Sequence, residues 1–407
     1  RGNEMNPSQR MTLSVSMRRH RKITWWCLLF SILLMTSAIG CNQEAELPEE
    51  ESQLPQLEEI TPDLTINEQP DTFLFGYLRD LTVNARGRIY VGDNNYKHVK
   101  YFSPAGEFLG TIGRQGQGPG EFDYLSSVVV GREDTLYTYD NQLRRISAFP
   151  PGEDPEIAYV LKIPEYAPYF PGHLQVPASG GFLMAFTQYY SPSDPDPDTM
   201  QPYRLITTAG ELQGDPIVHI PGNEALVHST SNSVTVTSKP FGRKSIVRLG
   251  PDDRLYTCWT EEISIEIYTL DGSHIRTVTV SHDPIPVTRA DVQEKLARYD
   301  QPPYDEAGSR SGMGQRFKQM IQSADLADTW PALDDMLVAT RGQIWLNVQT
   351  EAHSGRIWWV VDQSGQILQQ YQFPENVDLH EVTGTYAYGI HRDEQGLQRI
   401  MRFPVSG

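Results

Sequence analysis

The chain has 407 residues, a net charge of −18, 10% aromatic residues and only three cysteines. No basic stripe stands against that charge, which excludes a face that neutralises phosphates and with it a nucleic-acid partner. The acidity itself favours solubility.

Met17 is the expected start, because Arg18, Arg19, Arg21 and Lys22 then form a cationic head before the apolar run Ile23–Met35. Small residues follow in Ser37-Ala38-Ile39-Gly40-Cys41. This is the order of a secretory signal peptide, and the run is shorter than the roughly 20 apolar residues a span needs. Ala38-Ile39-Gly40-Cys41 resembles a bacterial lipobox. The resemblance implies cleavage after Gly40, acylation of Cys41 and insertion of that lipid into a bilayer. Cys27 would leave with the signal, so Cys258 alone would remain as a thiol and no internal disulfide could form. Cys258 lies in the apolar run Leu255-Tyr256-Thr257-Cys258-Trp259 and reads as a buried, inert residue. Residues 41–59 are rich in Glu, Gln and Pro and cannot bury apolar surface, so they read as a solvated, disordered tether.

From residue 60 an internal repeat takes over. Arg86-Gly87-Arg88-Ile89-Tyr90-Val91-Gly92-Asp93 aligns with Glu133-Asp134-Thr135-Leu136-Tyr137-Thr138-Tyr139-Asp140 at a shift of 47 residues, and Phe102 falls on Phe149. At a shift of 166, Ile89-Tyr90 becomes Leu255-Tyr256 and Gly106 becomes Gly272. At 255, Gly87, Ile89 and Tyr90 become Gly342, Ile344 and Trp345. Each unit reads as four short alternating strands between Gly-, Asn- and Pro-containing turns, the pattern of a propeller blade.

Units are expected at 78–113, 125–163, 173–220, 244–282, 333–373 and 377–403. The last shows three strands, and its fourth is expected from Ile60–Asn67, which would close the ring and remove an open sheet edge. Tyr90, Tyr137 and Trp345 occupy the repeated strand register and read as core, while Trp358 and Trp359 must point to opposite faces of their strand. Residues 288–330 break the register. Arg289–Tyr299 reads as a helix, Phe317, Met320, Ile321 and Leu326 as a second short one, and Gln301–Gly314 as the loop between them. The fold class is therefore all-β: a six-bladed β-propeller over residues 60–407, with a helical insertion between blades four and five.

Arg88–Asp93, Phe102-Ser103-Pro104-Ala105-Gly106-Glu107-Phe108 and Ile112-Gly113-Arg114-Gln115-Gly116-Gln117-Gly118-Pro119-Gly120-Glu121-Phe122 resemble NHL-type repeats. From Ile60 to Phe403 the chain resembles the six-bladed propeller lipoproteins of Bacteroidota and related bacteria. That resemblance implies the fold and a place in the cell envelope, on the outer membrane, but no fixed activity. Gly113, Gly116, Gly118 and Gly120 are not a phosphate loop, because no Lys-Ser/Thr and no helix follow them. They read as a tight crossing between blades.

Inner strands of a propeller line the axial channel, and their first residues point to one mouth. By the repeat register these are Arg79, Ser126, His173, Ser245 and Asp334, with His380 in blade six. Asp93, Asp140 and Trp259 end second strands and face the same mouth, the two carboxylates being suited to capping turn amides. Polar groups converging on a concave mouth make the default binding site. The expected activity is binding of a peptide, glycan or envelope protein, with no catalytic residue and no cofactor. The alternative is a metal-dependent, lactonase-like hydrolase or lyase, for which His173, Asp334 and His380 are the candidate ligands of a divalent metal.

Overall fold

The computed structural model describes residues 54–194, 199–300, 309–350 and 356–406. The expected signal peptide, Cys41 and most of the tether lie outside these residues. Six four-stranded antiparallel blades form a ring. In blade 1 the strands are Leu78–Val83, Ile89–Asp93, His98–Phe102 and Phe108–Ile112, running from the axis outward. The innermost strands of blades 2 to 6 are Leu125–Val130, Tyr169–Gln175, Ser245–Leu249, Leu333–Val338 and Val377–Val382. Blade 3 thus begins four residues earlier than the repeat register places it.

Both faces of each blade are covered, so strand residues alternate between two seams rather than between core and solvent. In blade 1, Ile89 and Val91 pack with Tyr388, Ile390 and Ile400 of blade 6, while Tyr90 packs with Leu125, Val128 and Leu136 of blade 2. Six buried clusters repeat this arrangement, one per seam. Trp359 enters the seam between blades 4 and 5 and Trp358 the seam between blades 5 and 6, the opposite faces their adjacency requires. A buried large side chain contributes roughly 1.5–3 kcal/mol, so these seams are where the ring gains its stability.

Closure uses the segment ahead of blade 1. Leu64–Ile66 pairs antiparallel with Gln398–Pro404 as the fourth strand of blade 6. Leu57–Glu59, expected within the tether, instead runs parallel to Ile367–Phe373 as a fifth strand of blade 5. Its backbone bonds are free to be satisfied there because the outer edge of blade 5 is otherwise open, and Gln370 Nε2 donates to Pro55 O at 2.6 Å.

Two insertions rise from the face where inner strands begin. The helical one comprises α1 (Arg289–Ala297) and α2 (Ser309–Ser323). Thr288 and Asp291 form a capping box at the start of α1. α2 begins at Ser309, so part of the stretch expected as loop is helical, and the helix spans 15 residues rather than a short turn. Without an apolar-periodic start, Ser309–Gly314 gave no helical signal. Antiparallel bonds from Val287 N to Asp328 O and from Trp330 N to Ile285 O close the neck of this insertion. The other insertion, a hairpin of Ala225–Ser229 and Val234–Ser238, is an element with no counterpart in the repeat. It contacts α2. Among the described residues no helix is long and apolar enough to cross a membrane.

Candidate functional site at the axial mouth

The inner strands share a defect that shapes the channel. In blades 1, 2, 3, 5 and 6 the pairing of the inner strand with the second slips by one residue, placing Arg79, Ser126, Gly172-His173, Asp334 and His380 in β-bulges. Blade 4 pairs regularly, Ser245 opposite Trp259. A bulge re-aims side chains and lets two neighbours leave the sheet on the same side. Consequently Asp80 and Glu381 reach the channel as well as Arg79 and His380, and Asp335 reaches it while Asp334 turns to an adjoining pocket.

The cavity on the axis has a volume of about 830 Å³. Arg79, Ser126, His173 and His380 line it, as do Asp80, Arg132, Arg248, Asp335, Arg356, Asp378, Glu381 and Arg392. Ser245 and Asp334 line an adjoining pocket of about 490 Å³ that shares Arg248, Asp335, Arg356 and Asp378 with the channel. Asp93, Asp140 and Trp259 line neither. Asp80, Asp335 and Glu381 escaped the sequence reading because strict alternation allows one channel residue per turn of the pleat. A signal was present: Leu78-Arg79-Asp80-Leu81, Leu125-Ser126-Ser127-Val128, Leu333-Asp334-Asp335-Met336 and Leu379-His380-Glu381-Val382 each hold a polar doublet. Blade 4, where the register residue Ser245 is followed by apolar Ile246, has no bulge.

Inner strands expose one edge to the axis, and buried edge amides need acceptors. Neighbouring blades supply them. Asp80 Oδ2 accepts Val128 N at 2.9 Å, Thr82 Oγ1 accepts Val130 N at 3.2 Å, and Glu381 Oε2 accepts Val83 N at 2.9 Å. Gln175 Oε1 accepts Leu249 N at 2.5 Å. Part of the channel's polarity is thus ring closure.

Ion pairs occupy the middle of the channel. Arg248 Nη2 lies 2.5 Å from Asp335 Oδ1, Arg356 Nη2 2.9 Å from Asp378 Oδ1, and His380 Nδ1 3.3 Å from Asp80 Oδ1. Burial pushes the Glu381 carboxyl up to about 7, although the Thr82 hydroxyl and the Val83 amide oppose it. His173 is solvent-accessible in the channel but closely surrounded by protein. That burial, with Arg248 nearby, holds its imidazole below the usual value against the opposing pull of Asp80 and Asp335. Glu381 can therefore carry a proton near neutrality, and His173 offers a neutral donor and acceptor.

Among the described residues no three His, Cys, Asp or Glu come together in a metal-binding group. Asp334 stands in the adjoining pocket and His380 leans on Asp80, so the three candidate metal ligands do not converge. Cys258 is buried and its thiol is pushed up to about 12 by that burial, which suits packing.

Asp93 and Asp140 act beneath the mouth. Asp93 Oδ2 accepts Gly76 N at 2.8 Å, and its Oδ1 accepts Tyr77 N, Asn95 N and Tyr96 N at 3.0–3.2 Å. Lys100 Nζ sits 2.7 Å from Asp93 Oδ2, both side chains almost fully enclosed. Burial alone would raise the Asp93 carboxyl, but Lys100 and the amides outweigh it and hold it below the ordinary value. One repeat later Asp140 accepts Asp123 N, Tyr124 N and Leu143 N at 2.7–3.0 Å. Each carboxylate ties the start of its inner strand to the turn between its second and third strands.

The crossing from blade 1 to blade 2 is fixed similarly. Arg145 donates to Gln117 O, Gly118 O and Glu121 O at 2.6–2.7 Å. At Gly113, with φ +79°, a Cβ would lie 2.3 Å from the Phe122 ring, so only glycine fits. The glycines of this segment serve chain crossing.

Residues 68–150, covering blade 1 and most of blade 2, match a family described as a 6-bladed beta-propeller. No curated protein matches the chain. Among solved structures the chain is similar to a Bacteroides fragilis protein described as exported, at 12% identity and a TM-score of 0.48, over 86% of this chain and 99% of that one. It is similar to virginiamycin B lyase of Staphylococcus aureus at 10% identity and a TM-score of 0.44, over 84% and 98%. A Xanthomonas campestris gluconolactonase matches at 12% identity and a TM-score of 0.45, over 86% and 95%.

Proposed function

We propose that this chain is an envelope lipoprotein, anchored through acylated Cys41, whose propeller is a binding module that takes its ligand at the axial mouth. The cavity of about 830 Å³, lined by five arginines of which, among the described residues, only Arg248 and Arg356 are paired with carboxylates, carries the reading. A concave site with converging polar groups is suited to recognition. The anchor rests on the signal-like head and Ala38-Ile39-Gly40-Cys41, and the NHL-like lipoproteins of Bacteroidota remain the relatives its repeats suggest. No resident metal and no nucleic-acid partner are proposed.

The test is calorimetric screening of the purified protein with His173→Ala and Arg248→Ala as channel variants. A ligand bound by the wild type and weakened at least tenfold by either variant supports the module. Hydrolysis of lactones or esters after loading with Ca²⁺, Mg²⁺ or Zn²⁺, abolished by His173→Ala, would replace it with the hydrolase reading. Loss of lipid labelling in Cys41→Ala tests the anchor separately.

A further inference from the structure

Around blades 6, 1 and 2 the mouth carries a repeated pair, a cation lying over the aromatic ring that leads into the next blade. Arg392 covers Tyr77 at 5.2 Å, Lys97 covers Tyr124 at 5.6 Å, and Arg144 covers Phe170 at 4.9 Å. Arg79, from the bulge of blade 1, joins Lys97 over Tyr124 at 5.3 Å. Lys97 and Arg144 are equivalent at the shift of 47 residues, as are Tyr77 and Tyr124. Both cations stand at positive φ, 57° and 50°. Their turns are held by Asp93 and Asp140, which also hold Tyr77 and Tyr124.

A pair of this kind between blades contributes about 0.5–1 kcal/mol at an exposed site, which accounts for a fastening role. It leaves the charge unexplained. In a chain of net charge −18, none of these four cations has a carboxylate partner among the described residues, whereas Arg248 and Arg356 do. Four unpaired cations on rigid supports form a prepared site for negative charge.

We propose that this arc binds an extended anionic oligosaccharide, carrying carboxylates or sulfates, that runs across the mouth of blades 6, 1 and 2. The inference rests on the binding reading above and names its ligand class. Tyr96 and Tyr189 flank the arc, 42% and 55% exposed; Lys100 lies over the Tyr96 ring at 4.8 Å and Phe170 packs against Tyr189, which leaves their outer edges and hydroxyls open to sugar C–H groups and hydroxyls. A peptide is less well matched. Peptide anchors need desolvated pockets, and the rings of Tyr124 and Phe170 are already covered by cations.

The experiment titrates the full chain with hexagalacturonate, its methyl ester, a sulfated heparin hexasaccharide and hexaglutamate, at low and high salt. Binding of either acidic sugar, weakened by salt and at least tenfold by Lys97→Gln/Arg144→Gln, supports the arc, as does a like loss in Arg392→Gln, which leaves blades 1 and 2 untouched. Equal binding of the methyl ester, or tighter binding of hexaglutamate, overturns the ligand class. Binding lost in His173→Ala but kept in both arc variants overturns the arc and leaves the axial reading standing. Failure of every probe, with a different ligand held in the channel, overturns the arc alone; failure of every ligand overturns both.

Discussion

Around blades 6, 1 and 2 the mouth presents Arg79, Lys97, Arg144 and Arg392 on aromatic rings, without carboxylate partners. Across blades 4 and 5 the same face carries two insertions, and its arginines are paired, Arg248 with Asp335 and Arg356 with Asp378. One repeat position separates the two halves. Asp93, the equivalent of Asp140, becomes Trp259 at a shift of 166 and Val348 at a shift of 255. Where the carboxylate is present, it gathers the strand entry and the neighbouring turn into a tight frame. Where it is absent, the entries into blades 4 and 5 are long segments held by other means: Thr260 Oγ1 accepts Lys244 N at 3.0 Å, and Arg243 bonds Phe241 O and Thr329 O at 2.8 Å. In blades 1 and 2 a single acceptor thus frames the rim, while the entries into blades 4 and 5, which lack it, carry the inserted structure.

The comparison breaks most visibly at Asp93. Asp93→Ala leaves Lys100 buried without its counter-charge and strips four amides of their acceptor, which costs about 3–5 kcal/mol. Thr260→Val, in the half without the carboxylate, removes one hydroxyl acceptor and costs about 1 kcal/mol. Urea midpoints of the two variants measure the gap. Equal losses would show that the frame is no stiffer than the platform.

Glu381 lies within the first half, where blade 6 meets blade 1. Its folded value of about 7 stands above the ordinary carboxyl value of 4.5, so the folded state holds the proton more tightly than the unfolded chain. The contribution is complete below pH 4.5 and is lost as pH rises through 7. At 1.36 kcal/mol per pH unit the change is roughly 3 kcal/mol at most. His173, held below its ordinary value, acts in the opposite sense and loses stability as pH falls. The informative measurement is therefore the difference between wild type and Glu381→Gln at pH 5 and pH 8. The variant gains relative stability at pH 8; a difference independent of pH would mean that Glu381 stays ionised.

Legibility in the sequence follows the same division. Blades 1 and 2 were readable because Ile89-Tyr90, Leu136-Tyr137 and their turns keep one register, and seams on both faces demand apolar residues there. The fourth strand of blade 6 was readable from the deficit it had to fill. The hairpin at 225–238 was not, because it packs weakly and is mostly exposed, so no burial pattern marked it. At the mouth, repeat register located Arg79, Ser126, His173 and His380 in the channel, but the bulges that bring in Asp80, Asp335 and Glu381 belong to strand pairing. The cation arc was hidden for another reason: Arg392 and Tyr77 are 315 residues apart and meet only when the ring closes.

The smallest effect is expected in the covered half. Thr288 caps α1 through its hydroxyl, which accepts Asp291 N at 3.3 Å, while Asp291 Oδ2 accepts Thr288 N at 2.7 Å. Thr288→Ala removes half of that box and weakens the helix start by about 1 kcal/mol. The neck does not depend on it, since Val287 N and Trp330 N bond across to Asp328 O and Ile285 O. Amide exchange over Arg289–Ala297 should therefore quicken about fivefold, the equivalent of 1 kcal/mol of local opening, while the urea midpoint of the ring stays in place. A midpoint that moved by the same amount would join the insertion to the cooperative unit of the blades. The covered half would then be as rigid as the framed one, and its paired arginines would need another explanation than an insertion added to a finished ring.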